Sequence, residues 1–285
     1  MPDPNIIVRA IDFIEDHLQK PVMVADMAES VSYSVFHFCR VFNQVTQLTP
    51  FDYLIRRRLS EAIHPIKFSK RRILEISLDY QFSSPETFSR AFRRMFGILP
   101  SELRKGAPID RRHIMPRWTP SHLEHIHKCA PFFHKVEERE SFKVVGLMTL
   151  VQTDLSVIPE LWNCMFHEFG NSIDLASTSD CFGITFHSLE NERRGTFYMA
   201  SIRHPLSEKA GVGLVTKQIP AMKVACFNHR GTLVEQALTL DYIYHAWLPR
   251  SKERLSIPWV IENLKEDVWR AGDEKLASDL YIPIL

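Results

Sequence analysis

No apolar run in this 285-residue chain approaches the roughly eighteen residues that a membrane-spanning helix needs. The first residues, with Asp3, Glu15 and Asp16 among them, lack the pattern of a secretory signal, so a cytoplasmic protein with no membrane partner is expected. Cysteine is scarce. Cys39, Cys129, Cys164, Cys181 and Cys226 are odd in number and widely spaced, and they include no C-x-x-C pair, which argues against a disulfide framework or a zinc ribbon. The familiar catalytic signatures are missing too. There is no G-x-S-x-G and no Walker loop, and His167-Glu168-Phe169-Gly170-Asn171 stops short of H-E-x-x-H. Gly211-Val212-Gly213 lacks the third glycine of a dinucleotide loop. No residue pattern independently supports catalysis, and no cofactor is expected.

Nor does the chain carry a large charge of one sign, its formal net charge being +1. That balance hides a gradient. Residues 1–118 hold eighteen Lys and Arg against thirteen Asp and Glu, a net of +5, while residues 119–285 hold seventeen against twenty-one, a net of −4. Binding to a polyanion needs cations on one face rather than a basic protein overall, because affinity comes from neutralising phosphates. The runs Arg56-Arg57-Arg58 and Lys70-Arg71-Arg72, with Arg93 and Arg94, are candidates for that face, against the plainer reading of a solvated helix surface.

The basic part contains an internal repeat. Asp26 to Ser34, followed by Phe38, Arg40 and Phe42, is echoed by Glu75 to Ser83, followed by Phe88, Arg90 and Phe92. Each copy reads as a short amphipathic helix, a turn with an aromatic and a serine, and a longer helix whose apolar face leaves one arginine outside. The periodicity predicts helices from Ile6 to Leu18, over Val24–Ser30, Val35–Val45 and Pro50–Ile63, and over Ile73–Tyr80 and Ser84–Phe96, with Pro65 disturbing the connecting helix and Pro100 opening a closing turn. Positions pointing away from the apolar stripes are Val35, Phe36, Cys39 and Arg40 in the first copy and Ser84, Pro85, Glu86, Thr87 and Arg90 in the second. Arginine can pair with guanine O6 and N7, a carboxylate can accept from cytosine N4, and Phe36 can meet a thymine methyl. The plainer alternative is that either arginine pairs with a neighbouring acid or a phosphate.

The segments Tyr33-Ser-Val-Phe-His-Phe-Cys-Arg40-Val-Phe42 and Phe82-Ser-Ser-Pro-Glu-Thr-Phe88-Ser-Arg90-Ala-Phe-Arg-Arg-Met-Phe96-Gly97-Ile-Leu-Pro100 resemble the DNA-binding domain of the AraC/XylS transcription regulators. The second follows the family pattern F-x-S-x-x-x-F-x-R-x-F-[KR]-x-x-F-G-x-x-P. The resemblance implies that double-stranded promoter DNA and RNA polymerase are partners. The family's usual turn glycine is replaced by Ser32 and Gln81, which predicts a strained or altered turn at each, costing on the order of 1 kcal/mol.

Residues 107–140 read as a linker ending in a lead-in strand, broken by Pro108, Pro116, Pro120 and Pro131. Its His113, His122, His125, His127 and His134, with Cys129, have the chemistry of metal ligands, but no second ligand cluster closes a site and no metal is expected. Beyond it the periodicity becomes mixed. Strands are expected at Phe142–Leu150, Cys181–Phe186, Thr196–Ile202, Lys217–Ile219, Val224–Phe227 and Leu280–Ile284, and helices at Pro159–Phe169 and Leu233–Leu248. The fold class expected is therefore multidomain: an all-α domain with two helix-turn-helix motifs over 1–106, then an α+β domain of two β-α-β-β repeats over 141–285. A cleft at the pseudo-twofold axis between the repeats is the natural place for a small-molecule effector.

The pieces Ile219-Pro220-Ala221-Met222-Lys223-Val224-Ala225, His229-Arg230-Gly231, Trp247-Leu248-Pro249-Arg250-Ser251, Ile257-Pro258-Trp259-Val260-Ile261-Glu262 and Tyr281-Ile282-Pro283-Ile284 are similar to GyrI-like effector-binding domains. The resemblance implies a cleft acid that faces cationic, aromatic ligands, a role that falls to Glu262. Leu264 stands where the family usually has a tyrosine, which leaves the ligand class open. Trp162, Tyr198, Trp247 and Trp259 are candidate π faces, with core packing as the alternative for each. The rival function is an enzyme, since some GyrI-like domains are associated with hydrolysis. A third reading is an effector site that has decayed to a structural role.

Overall fold

The computed structural model describes residues 4–128, 133–152, 154–169, 181–187, 196–203, 213–264 and 276–285. They group into two compact units, 1–130 with 238–251, and 131–237 with 252–285.

The first unit opens with α1 (Pro4–Asp16), which buries Ile7, Ala10, Ile11 and Ile14 along one stripe. Two helix pairs follow, α2 (Val24–Ser30) with α3 (Val35–Thr46), and α5 (Ile73–Asp79) with α6 (Pro85–Phe96). They are joined by α4 (Pro50–Phe68) and closed by α7 (Pro100–Arg104). Aromatics at helical spacing fill the cores. Phe38, Phe42 and Tyr53 form one run of ring contacts, and Phe82, Phe88, Phe92 and Phe96 form another. Pro65 does not end α4 as expected, and the helix runs on to Phe68. The proline lies one turn from the end, so it removes a single ladder bond, and the buried Ile66 beyond it offsets that loss. Ser69 then closes the helix, its backbone N–H and hydroxyl both donating to the Pro65 carbonyl.

The stretch expected to link the domains is largely built into structure. A 3₁₀ turn (Arg111–His113) and α8 (Pro120–Lys128) belong to the first unit, and β1 (Phe133–Arg139) to the sheet of the second. His122 and His125 are buried rather than lining an exposed tether, and both hold residues 238–251. The backbone N–H of Thr119 donates to His122 Nδ1, which leaves Nε2–H to donate to Asp241 Oδ2 at 3.1 Å. His125 Nε2 meets the Thr239 hydroxyl at 2.8 Å. Cys129 lies outside the described residues, and among those described no group of three or more His, Cys, Asp or Glu is arranged to hold a metal.

The second unit carries β2 (Phe142–Val151), α9 (Val157–Phe169), β3 (Cys181–Phe186) and β4 (Thr196–Arg203), and, after β5 (Val215–Ile219), a second series of β6 (Met222–Gly231), α10 (Leu233–Tyr242), β7 (Trp259–Leu264) and β8 (Leu276–Ile284). The β-α-β-β order therefore recurs. The described strands form one antiparallel sheet in the order β1-β6-β8-β7-β3-β4-β2-β5. The repeats meet where β3 pairs with β7, with Gly183 opposite Glu262 and Ile184 opposite Ile261, so the pseudo-twofold axis passes at Glu262. From Thr239 onward α10 leads into a buried π-helical turn (Ile243–Trp247) and then α11 (Leu248–Ser251), and residues 238–251 group with the first unit.

Candidate DNA-binding and ligand-binding sites

The two helix pairs of the first unit are built alike from the turn upward. α2 ends with Ser32 in the left-handed region at φ 60°, where Ser32 N–H donates to Glu29 O and Tyr33 N–H to Ala28 O. α5 ends in the same way, with Gln81 at φ 61°, Gln81 N–H donating to Leu78 O and Phe82 N–H to Ser77 O. This paired closure needs a left-handed residue, which explains the glycine preference there and confirms the strain expected of Ser32 and Gln81. Gln81 has a compensating bond from its side-chain amide to Gln19 O at 2.9 Å. The second helices then start on matching caps, Ser34 accepting from His37 N–H and Ser84 from Thr87 N–H.

Counting from those caps, Arg40 and Arg90 are each the sixth residue of their helix, and both are exposed. Neither guanidinium has a hydrogen-bond or ion-pair partner among the described residues. On α3, Val35 is exposed, Phe36 is 80% exposed, and Cys39 is half-buried. On α6, Glu86 and Thr87 are exposed while Ser84 and Pro85 are partly covered. Every expected DNA-contact position thus lies on one of these two helices or its cap, and none is in the core.

The basic runs divide. Lys70, Arg71, Arg72, Arg93 and Arg94 are exposed. Arg57 and Arg58 are not, so they are corrected from phosphate contacts to internal braces. Both project from the central α4 into neighbouring elements. Arg57 donates through Nε and Nη2 to the two Glu15 carboxylate oxygens at 2.8 and 2.9 Å, and through Nη1 to Met115 O at 2.6 Å. Arg58 donates to Leu18 O and Lys20 O, both at 2.8 Å. Arg56 beside them is half-buried.

In the second unit, side chains alternate between the sheet faces, so Glu262 shares a face with Gly183 and Tyr198 and not with Trp259. Glu262 is 3% exposed, and burial pushes its carboxyl up to about 7, an effect partly offset by the neighbouring Gln236 amide. Its Oε2 lies on the Gly183 side and, although the Gln236 side chain is close enough to favour the charged form, has no partner in good hydrogen-bond geometry among the described residues. Trp162 on α9 donates from Nε1 to the Tyr198 hydroxyl at 3.1 Å, and burial, with Glu262 nearby, holds that phenol well above its usual range. Gly183 makes this crowding feasible, because a Cβ there would lie 2.2 Å from the Tyr198 hydroxyl and 3.1 Å from Glu262 Oε2. Three of the expected ligand residues, Trp162, Tyr198 and Glu262, therefore stand on one face. Trp259 packs edge-on against Phe186 on the other face, with the Lys217 ammonium 5.5 Å from its ring. Trp247 is buried in the π-helical turn that groups with the first unit. Sequence reasoning missed Gln236 and Gly183; a glycine inside a strand pattern was the available sign of a close approach.

Comparison with known proteins converges on the same two halves. Residues 27–106 match the helix-turn-helix domain family, and residues 133–285 match the GyrI-like small molecule binding domain. The chain is 36% identical over 104 residues to the regulatory protein SoxS of Escherichia coli, covering 36% of this chain and 97% of SoxS. It is 35% identical over 101 residues to the TetD protein of transposon Tn10 from Escherichia coli, covering 35% of this chain and 73% of TetD. Against the right origin-binding protein of Escherichia coli K12 it is 27% identical over 172 residues, 59% of this chain and 56% of that protein. No helix among the described residues is long and apolar enough to cross a membrane. The chain belongs to the AraC/XylS family of DNA-binding transcription regulators, with a GyrI-like small-molecule-binding domain as its second half.

Proposed function

We propose that the chain is a one-component cytoplasmic regulator that reads two adjacent major-groove segments of promoter DNA, one through α3 and one through α6, under the control of a cationic, aromatic effector held at Glu262. The observation that carries the DNA reading is the equivalence of Arg40 and Arg90: same helix position, same serine cap, both exposed and unpaired among the described residues. A bidentate arginine-guanine contact contributes about 1–3 kcal/mol of discrimination. Glu86, Thr87 and Ser84 can accept or donate at neighbouring base edges, and Val35 and Phe36 offer apolar contact to thymine methyls. Exposed Lys70, Arg71, Arg93 and Arg94 supply phosphate contacts. RNA polymerase is the further partner expected of such a regulator.

Support for a cationic effector comes from Glu262. A carboxyl buried beside Trp162 and Tyr198 resists ionisation until a cation arrives, so the two charges remove each other's desolvation cost. Against turnover stands Tyr198, whose hydroxyl already accepts from Trp162 and whose proton is held far more tightly than usual, making it a poor nucleophile or base.

Selecting bound fragments from random DNA tests the first half of the reading. A site with two recognition elements about one helical turn apart is expected, and a single short element would remove the two-helix docking. A thermal-shift screen of aromatic cations on wild type and Glu262→Gln tests the second half. Ligands that raise the melting temperature of the wild type alone are expected. No response to any cation would remove the effector assignment.

A further inference from the structure

Helix α10 starts in one unit and finishes in the other: residues 233–237 group with the second, and residues 238–242, with the turn and the helix that follow, group with the first. Its start is fixed by a reciprocal cap, in which the Thr232 hydroxyl accepts from Glu235 N–H at 3.2 Å and the Glu235 carboxylate accepts from Thr232 N–H at 2.8 Å. The next residue, Gln236, is buried and stands beside the Glu262 carboxyl, where it favours the charged form although its Nε2 makes no well-formed hydrogen bond. Three residues on, less than one helical turn, the buried Thr239 is held by His125, and Asp241 is held by His122. So short a stretch of helix passes a displacement at Gln236 on to Thr239 and Asp241 rather than absorbing it.

The same segment finishes on the first recognition helix. Gln47 caps the C-terminus of α3 in the left-handed region at φ 60°. Its side-chain oxygen accepts from the Tyr242 hydroxyl at 3.2 Å and from Arg250 Nη2. Arg250 is tied in turn to the segment, its Nε donating to Ala246 O at 2.9 Å. The second recognition helix closes in the same left-handed way, but on Gly97, which has no side chain to be gripped. Between Tyr242 and Arg250 lies the π-helical turn Ile243–Trp247, with every residue buried. Single π-helical turns inside helices are rare and often sit at functional sites. Close-packed segments of this kind switch between discrete arrangements instead of deforming continuously.

We infer, building on the reading of Glu262 as the effector anchor, that the effector acts on DNA through Gln236, the 238–251 segment and Gln47, and that it resets α3 while leaving α6 as it was. With a cation in place Glu262 is ionised, and a carboxylate accepts a stronger hydrogen bond from the Gln236 amide than a neutral acid does. Gln236 is therefore bound differently in the free and loaded states, which is the differential interaction a ligand needs to shift an equilibrium. The π-helical turn is the element with two arrangements that both ends bias. Gln47 is a positioning residue, acting on base reading by Arg40 through the setting of α3. The consequence is an effector that alters one of the two recognition elements and not the other.

The probe is methyltriphenylphosphonium, an aromatic cation too bulky to intercalate, used with the full chain and a DNA site selected by it. Calorimetry reads cation binding, labelled fragments read DNA affinity with and without the cation, and hydrogen exchange reads each helix. Wild type should bind the cation and change its DNA affinity about fivefold or more, with altered amide exchange in residues 35–46 and none in 85–96. Gln47→Gly gives α3 the cap that α6 already has, so the helix end is kept without strain. That variant should bind both cation and DNA, yet its DNA affinity should move less than about twofold when the cation is added. A Gln47→Gly variant that responds like wild type, or exchange that changes equally in both helices, overturns the route through Gln47. A cation that binds wild type without moving its DNA affinity overturns the coupling and leaves Glu262 as the anchor. If wild type does not bind the cation, or Glu262→Gln binds it as tightly, the anchor itself fails and takes the coupling with it.

Discussion

Each half of this regulator buries a glutamate, and the two are treated in opposite ways. The Glu15 side chain, 7% exposed, has both oxygens taken by the Arg57 guanidinium and a third bond from the Tyr53 hydroxyl at 2.9 Å. Glu262 is buried more deeply and has no cation beside it among the described residues. The arginines repeat the contrast, since Arg57 and Arg58 are saturated by partners within the chain while Arg40 and Arg90 have none among the described residues. A charge whose bonding is complete inside the protein holds the fold, and one left incomplete at a defined position is available for a partner. Residue type alone does not separate the two classes.

The largest expected effect breaks the satisfied pair. Arg57→Met should strand Glu15 in the core of the first unit and cost about 3–5 kcal/mol in denaturant unfolding. A loss under about 1 kcal/mol would mean that Glu15 escapes to water, as an exposed pair would allow.

Glu262→Gln should do the reverse. The wild-type carboxyl titrates near 7 against an ordinary 4.5, so the stability gained by keeping it protonated is complete below about pH 4.5 and is lost as pH rises through 7. A shift of that size corresponds to roughly 3 kcal/mol, so between about pH 4 and pH 9 the variant should gain on the wild type by an amount of that order. Parallel stability-pH curves for the two proteins would contradict the burial argument. Binding of an aromatic cation should tighten over the same pH interval and release a proton below it, which calorimetry in buffers of different ionisation enthalpy detects.

Arg40→Ala and Arg90→Ala should leave stability within about 0.5 kcal/mol of wild type, as for surface positions. Each should weaken binding to a selected DNA site by about 1–3 kcal/mol, seen in titrations with labelled fragments. The smallest effect concerns the difference between the two recognition helices. α6 ends on Gly97 with Arg93 and Arg94 in its own last turn. α3 ends on the left-handed Gln47 with no basic residue there, and Gln47 Oε1 instead accepts from the Tyr242 hydroxyl at 3.2 Å and from Arg250 Nη2. Arg250→Ala should therefore loosen α3 by roughly 0.3–1 kcal/mol in hydrogen exchange and leave α6 unchanged.

The helix-turn-helix repeat was legible because its information is local. Phenylalanines at helical spacing, serine caps and the displaced turn glycines all lie within a few residues of what they determine, and even the left-handed turns at Ser32 and Gln81 could be foreseen. Arg57 was misread because adjacent residues on α4 look alike in sequence, and only the packing of α1 and the chain at Met115 against that helix decides which are covered. The ligand site was partly legible: strand alternation places Trp259 and Glu262 on opposite faces, a deduction available once β7 is recognised as a strand. That α10 continues through a π-helical turn into a segment grouped with the first unit depends on partners over a hundred residues away, such as His122 with Asp241, and no local pattern announces it.

The most direct test of whether the unsatisfied charges are the functional ones is to titrate wild type, Arg40→Ala and Arg90→Ala against a selected DNA site and against versions of it with each guanine replaced in turn. Each variant should lose discrimination at one guanine, and the two positions should lie about one helical turn apart. If both variants bind the selected site as tightly as wild type and discriminate at the same guanines, neither arginine reads DNA and the distinction between saturated and free charges has no functional meaning here.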